Sequence, residues 1–555
     1  MKSAEFLTKT TSEKEIFTYE DFSHEQVMMY EATKDFINKS IIPNIESIEK
    51  QEGTIVSDIL KQAGELGLLG VTVPESLGGL NMDFNTSMLI ADIIGISGSF
   101  GTTYGAHTGI GTLPILYYGN KSQKEKYIPK LATGELIGCY CLTEPEAGSD
   151  ANAGKTNAKR SKDKKGFIIN GQKIWISNGG FADIMIVFAK IGKDKNHSAF
   201  IVETKTKGIT MGPEEVKLGI KGSSTRQIFY ENVEVPAENL LGKRGQGFEI
   251  ALNILNIGRI KLCASAIGGA KQLITQSKEY AENRKQFGTE IRNFGAIREK
   301  IALMTSKTFV SESLMYRAGQ DIESRGTSVG TVKATSEYAI ECAIAKVHGS
   351  EVLDYVVDEA LQIHGGMGYS AEFPIERAYR DSRISRIYEG TNEINRLMLV
   401  GQFLKKIKNK ELSINKNVIK AYSKIIIPSQ LTFCSGISLI ENHKILLGLL
   451  VDKVYKKFGK NLFNHQQVVM WIADIIIEIY ANESGFLRSK KTGDIVQKEM
   501  SKLYLYESNQ LINKVATKIV DSSTSGVGRF FAKKIVNKLT NQSHENREDL
   551  TIKIY

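Results

Sequence analysis

Nine prolines are spread so unevenly over the 555 residues that they set the broad architecture. Pro43, Pro74, Pro114, Pro129, Pro145, Pro213 and Pro236 punctuate the first 240 residues, and only Pro374 and Pro428 follow. A proline inside a helix removes a backbone donor and clashes with the preceding turn. Long proline-free stretches with apolar residues three and four apart therefore predict long helices. That pattern runs from Gly245 to about Phe403 and continues beyond it. Residues 23–135 carry shorter helical patterns separated by breakers such as Pro74-Glu75-Ser76-Leu77-Gly78-Gly79. Between about 138 and 240 the period changes. Gly166–Ile176, Ile184–Lys190, Ala199–Val202 and Gln227–Val235 are short β-rich runs set apart by Gly, Asn, Asp and Lys, as in a small antiparallel barrel or sandwich. The expected fold is a multidomain α+β chain: an N-terminal helical domain over 1–137, an antiparallel β-domain over 138–243, a helical bundle over 244–404 and a further helical domain over 405–555.

Composition narrows the class. With 41% hydrophobic and 24% charged residues the chain reads as globular. No uncharged apolar run reaches the ~18 residues of a membrane span, and the nearest, Val468–Tyr480, is broken by Asp474 and Glu478. Five scattered cysteines without a CxxC pair make neither a disulfide framework nor a zinc site, which points to a reducing compartment. The first 26 residues include Glu5, Glu13, Glu15, Glu20, Asp21 and Glu25, and the first arginine is Arg160. Neither a secretory signal nor a transit peptide has that make-up, so the expectation is a cytoplasmic protein.

Signatures of Rossmann dinucleotide binding, P-loops, HExxH metalloproteases and GxSxG hydrolases are absent from the sequence. Five other motifs occur in order: CYCLTEPEAGSD over Cys139–Asp150, KIWISNGG over Lys173–Gly180, NRKQFG over Asn283–Gly288, QIHGGMG over Gln362–Gly368 and IYEGTNEI over Ile387–Ile394. Their order, spacing and α–β–α setting resemble the acyl-CoA dehydrogenase flavoprotein family over about residues 25–405.

The resemblance implies FAD held between the β-domain and the helical bundle of a homodimer. Carried over position by position, it places Tyr140, Leu142, Thr143 and Ser149 along the flavin, with Trp175 and Ser177 flanking its ring. It assigns Arg284 and Phe287 to the FAD of the other subunit, and Gln362, Gly365 and Gly366 to the adenosine diphosphate part. The resemblance also implies that Thr391 and Glu393 touch FAD and that Ser149, Asn256 and Arg259 contact acyl-CoA. Read as residues, Arg284 is a charge-assisted donor, Gly365–Gly366 permits close backbone approach, and an indole offers a broad apolar face. Glu389 is the expected catalytic base, removing the proton α to the thioester; the β-hydrogen leaves as hydride. Members that carry the base on another helix place it immediately before the arginine matching Arg259, where this chain has Gly258. His364 reads as a site-adjacent or core histidine, and no metal is expected.

The LNIGRIKL segment over Leu255–Leu262 and the long C-terminal part resemble the very-long-chain type, implying medium- to very-long-chain substrates in fatty-acid β-oxidation and an electron-transfer flavoprotein as acceptor. An acyl-CoA oxidase using oxygen is the nearest alternative. A nucleic-acid-binding flavoprotein of the DNA-alkylation-response type is another, disfavoured by a lysine-rich tail without interleaved aromatics. That tail, 401–555, holds 25 basic and 13 acidic side chains, a net +12, against −2 for the remainder. Leu447, Leu450, Val451, Val454, Tyr455, Phe458 and Leu462 form one helical face, and Lys453, Lys456, Lys457 and Lys460 the other. Such a helix either packs into a domain or lies on an anionic membrane, and the expectation here is peripheral membrane contact.

Overall fold

The computed structural model describes residues 2–423, 436–542 and 547–554; Pro428 and Cys434 lie outside the described residues. The N-terminal part is helical, including α1 (His24–Phe36), α2 (Ile55–Glu65), α3 (Phe84–Ile94) and α4 (Lys121–Thr133). Asp83 starts α3, its carboxylate accepting from Thr86 N at 2.6 Å. All eleven residues of α3 are buried, including the polar Asn85, Thr86, Ser87 and Asp92.

Eight strands follow: β1 (Gly138–Cys141), β2 (Asn157–Arg160), β3 (Gly166–Ser177), β4 (Ile184–Ile191), β5 (Ser198–Glu203), β6 (Ile209–Glu214), β7 (Thr225–Pro236) and β8 (Leu240–Leu241). They form one sheet in the order β6-β7-β3-β2-β4-β5-β8, with β1 added beside β4. Most pairings are antiparallel, but β1 and β2 both run parallel to β4. Flanked on both edges, β4 is buried at seven of its eight residues, as a near-continuous apolar run predicts.

The helical bundle consists of α5 (Gly247–Asn283), α6 (Gly295–Val329), α7 (Ala339–His364), α8 (Pro374–Ser382) and α9 (Asn392–Lys408). α5 is long and apolar enough to cross a membrane, yet 72% of its most apolar window is buried inside the protein, which marks it as a core helix. It crosses the α3 segment very closely. A Cβ on Gly268 would lie 1.7 Å from Asp92 O, and one on Gly95 2.1 Å from Ser265 O, so both positions admit only glycine.

Behind the bundle stand α10 (Ile437–Phe458), α11 (Gln466–Thr492), α12 (Ile495–Ser523) and α13 (Gly526–Leu539). This extension docks on α6 and α7 through buried polar contacts. Arg317 bonds Glu483 at 2.8 Å, and His348 Nε2 lies 2.6 Å from Tyr504 Oη. The first residues of the chain wedge into the same seam: Ala4 N and Ser3 Oγ each donate to Glu341 at 2.7 Å, and Phe6 packs on Tyr480 with ring centroids 4.6 Å apart.

The tail helix uses its apolar stripe for intramolecular packing. Leu447, Leu450, Val451, Val454 and Leu462 are buried in the main core, and of the seven apolar positions Tyr455 alone is exposed.

Candidate active site

The turn before α9 carries Glu389 in the left-handed region, φ +57°, which costs a non-glycine residue of order 1–3 kcal/mol. Several contacts hold it there. Arg259 Nε donates to Glu389 O at 3.1 Å, and Asn395 Nδ2 donates to Gly390 O at 2.7 Å and Thr391 O at 3.0 Å. The Thr391 hydroxyl caps α9 by accepting from Ile394 N at 3.2 Å. The Glu389 carboxylate faces Gly258 on α5, where a Cβ would sit 2.7 Å from Oε1 and 2.9 Å from Oε2. Glycine thus vacates the volume that the carboxylate fills. Glu389 Oε2 is buried without a hydrogen-bond partner. Burial pushes the carboxyl up to about 7, against the opposing pull of Arg259 and Lys346. An occluded carboxylate with a free acceptor oxygen and a pKa near neutrality is equipped for general-base work.

Glu389 borders a cavity of about 690 Å³, in the range of small-molecule sites. Tyr388, Gly258, Leu262 and Ser177 share its lining, and the chain from Gly95 to Ile110 supplies another wall. A Cβ on Gly105 or Gly109 in that wall would meet nothing within 4 Å, so both glycines widen the cavity.

The β-domain presents a second group. Tyr140 on β1 packs against Phe188 at 4.8 Å, and its buried hydroxyl has no partner. Leu142 is buried, Thr143 half-buried, and Ser149 exposed on the following loop. That loop is tied to β3: Ile174 N donates to Thr143 O at 3.0 Å, and buried Lys173 reaches Leu142 O at 3.0 Å and Glu144 at 2.7 Å. A register shift in β3 between Lys173 and Ile176 turns Trp175 outward, with φ +61° and 55% exposure.

Asn256 and Arg259, expected at the substrate, sit on α5 beside the Glu389 turn. Both are buried and neither lines the cavity; Arg259 Nη1 donates to Asn256 Oδ1 at 2.7 Å while Nε holds the Glu389 carbonyl. Their spacing on one face of α5 serves the turn.

A third group is separate from the cavity lining. Arg284, Phe287, Gln362, Gly365 and Gly366 are all exposed, Phe287 by 95%. The ends of α5 and α7 that carry them are joined where Tyr280 stacks on His364 at 4.3 Å. His364 Nδ1 is engaged by Ala360 O at 2.7 Å. Glu393 is exposed in the first turn of α9. Sequence reasoning missed Lys346, fully buried on α7, whose Nζ lies 2.6 Å from Asn392 Oδ1; a lysine within an apolar helix was the available signal.

Comparison with known proteins extends this geometry. Family models described as acyl-CoA dehydrogenase N-terminal, middle and C-terminal domains match residues 23–135, 139–233 and 245–404, and a further C-terminal domain model matches 443–529. A probable acyl-CoA dehydrogenase of Bacillus subtilis is 44% identical over 88% of this chain and 85% of its own length. A very long-chain specific mitochondrial acyl-CoA dehydrogenase of Macaca fascicularis is 41% identical over 72% of this chain and 62% of its own. The crystal structure of an acyl-CoA dehydrogenase from Bacillus anthracis complexed with FAD superposes with a TM-score of 0.96 at 41% identity, covering 100% of this chain and 98% of that one.

Proposed function

We propose, from the premise that the chain belongs to the acyl-CoA dehydrogenase family, that it oxidises medium- to very-long-chain acyl-CoA to trans-2-enoyl-CoA in fatty-acid β-oxidation, with Glu389 as base and FAD as the redox group. The observation that carries the reading is the unpartnered Glu389 carboxylate on the cavity, with Gly258 leaving it room. The site residues fit FAD: a buried phenol without a partner at Tyr140 and an outward indole at Trp175 suit a flat heterocycle with polar edges. Bound FAD supplies the acceptor for the hydride leaving the β-carbon, and an electron-transfer flavoprotein takes the electrons onward. Glu389 takes the α-proton; Arg259 and Asn395 keep its backbone in the conformation that directs the carboxylate into the cavity.

Because only the ionised carboxylate accepts a proton, the rate of flavin reduction is expected to rise with pH through a midpoint near 7. The test of the whole reading is bleaching of the purified yellow protein by saturated acyl-CoAs of increasing length, with oxygen and an artificial acceptor compared in turnover. No bleaching by any length overturns it, and turnover on oxygen alone converts it to the oxidase. Length preference is read from the glycine wall. Gly105→Phe fills open cavity space and is expected to lower kcat/KM for long chains at least tenfold relative to short ones; an unchanged profile would remove Gly105 from the acyl path.

The exposed Arg284, Phe287 and Gly365–Gly366 end of the bundle fits contact with a second copy that shares the cofactor. Arg284→Ala is expected to release FAD on dilution while the melting temperature of the apoprotein stays unchanged, since the side chain is exposed and its loss costs only a charge-assisted donor to the cofactor. A variant as yellow as the parent would place Arg284 away from FAD.

A further inference from the structure

Asp474 lies on α11, in the extension, and accepts from Arg396 Nε at 2.7 Å. The other edge of the same guanidinium grips Glu351 of α7, at 2.7 Å and 2.9 Å. Glu351 Oε1 also accepts from Asn392 Nδ2 at 3.0 Å, and Asn392 Oδ1 accepts from Lys346 Nζ at 2.6 Å. Asn392 is the first residue of α9, three positions after Glu389. Arg396 stands one turn further on, so both are rigidly continuous with the turn that carries the carboxylate.

We propose that the C-terminal extension is part of the machinery that positions the base, acting through the chain of contacts Asp474–Arg396–Glu351–Asn392–Lys346. The proposal rests on the reading of Glu389 as base. Lys346 and Arg396 are its positioning residues. Arg396 is clamped between carboxylates from two different parts of the fold, and a planar fork held on two edges cannot pivot, so the first turn of α9 is fixed against both α7 and α11. Lys346 has no exposed surface, and Asn392 holds its ammonium in place. The charges that bear on Glu389 are the cations of Lys346 from α7 and Arg259 from α5; the phenols of Tyr140 from β1 and Tyr388 from its own turn also face it, and its carboxylate helps keep them protonated. Removing the Lys346 charge withdraws support for the ionised base, so the pH at which Glu389 ionises must move upward.

The experiment uses the full-length holoprotein with Asp474→Asn, Lys346→Met, Lys346→Arg and the Asp474→Asn/Lys346→Met double variant. Single-turnover flavin reduction is followed against pH, and amide hydrogen exchange is followed over 387–396. Lys346→Met is expected to raise the pH midpoint by about one unit or more, with Lys346→Arg returning it toward the parent. Asp474→Asn is expected to accelerate exchange over 387–396 and to slow reduction in the parent, with no further slowing in the Lys346→Met background, as coupled residues behave. Unaltered exchange in Asp474→Asn, or fully additive slowing in the double variant, overturns the proposal. Should the parent fail to reduce its flavin with any acyl-CoA, the functional reading falls, and the exchange measurement still decides whether Asp474 restrains the turn.

Discussion

Glu389→Gln is expected to lower the rate of flavin reduction by acyl-CoA by roughly 10²–10⁴ while the protein stays folded and yellow, the loss typical of a removed general base. Glutamine has the size of glutamate, so it fits the space that Gly258 leaves open, and the backbone restraints from Arg259 and Asn395 act on carbonyl groups that the substitution leaves in place. What disappears is the ability of Oε2, buried and free of partners, to accept a proton. Arg259 is a cation and cannot substitute as acceptor, and Lys346, which burial lowers to about 8, is an ammonium donating to Asn392 below that pH, so the residual rate near neutrality reports no second base. The parent's reduction rate should climb through pH about 7 as the carboxyl ionises, and the variant's low rate should lack that rise. Stopped-flow bleaching across pH with parent and variant decides it: reduction of the variant at near-parent rates would move the base elsewhere.

The order of helices, sheet and helices was legible because proline placement and short β-rich runs act locally; the signals for β3 and β4 sit within the strands themselves. The residues around Glu389 were legible by motif. Their division of labour was not. Asn256 and Arg259 are three apart on α5, and that spacing puts them on one face without saying whether the face meets a ligand or the Glu389 turn; the pairing of Arg259 with the Glu389 carbonyl spans 130 positions. The same limit explains the tail. The Leu447–Leu462 stripe has the pattern of an interfacial helix and of a core helix alike, and only the neighbouring helices settle which it is. The wedge made by the first residues left no sequence signal, since its partner Glu341 is 337 positions from Ala4.

The extension is held to the rest of the chain by charges buried at the seam, and one substitution should expose their cost. Glu483 on α11 has no exposed surface and accepts from Lys444 Nζ at 2.5 Å through Oε1 and from Arg317 Nη2 at 2.8 Å through Oε2. Thr11 adds a hydroxyl at 3.2 Å, bringing the N-terminal segment into the same cluster. The two cations are themselves almost wholly buried, and Glu483 is the carboxylate they share, with Glu441 as a second, half-exposed partner of Lys444. Glu483→Ala leaves two desolvated positive charges facing each other across an empty space. Breaking a buried pair by removing one partner costs about 3–5 kcal/mol, and here the cost falls on α6, α10 and α11 together. The remaining bonds, from Arg317 to Ser484 and Thr11 and from Lys444 to the Lys9 carbonyl and Glu441, satisfy donors, and the nearby charges of Glu441 and Asp321 offset only part of the loss. The expected result is a much lower melting temperature, with the extension and the N-terminal segment becoming susceptible to proteolysis before the β-domain does. Irreversible unfolding in so large a chain makes the rate of inactivation at fixed temperature the sounder measure. Glu483→Gln, which keeps the hydrogen-bonding oxygen but not the charge, should recover only part of the loss. A Glu483→Ala protein that inactivates no faster than the parent would show that water enters the seam and screens the pair, and that the extension is held by its apolar contacts alone.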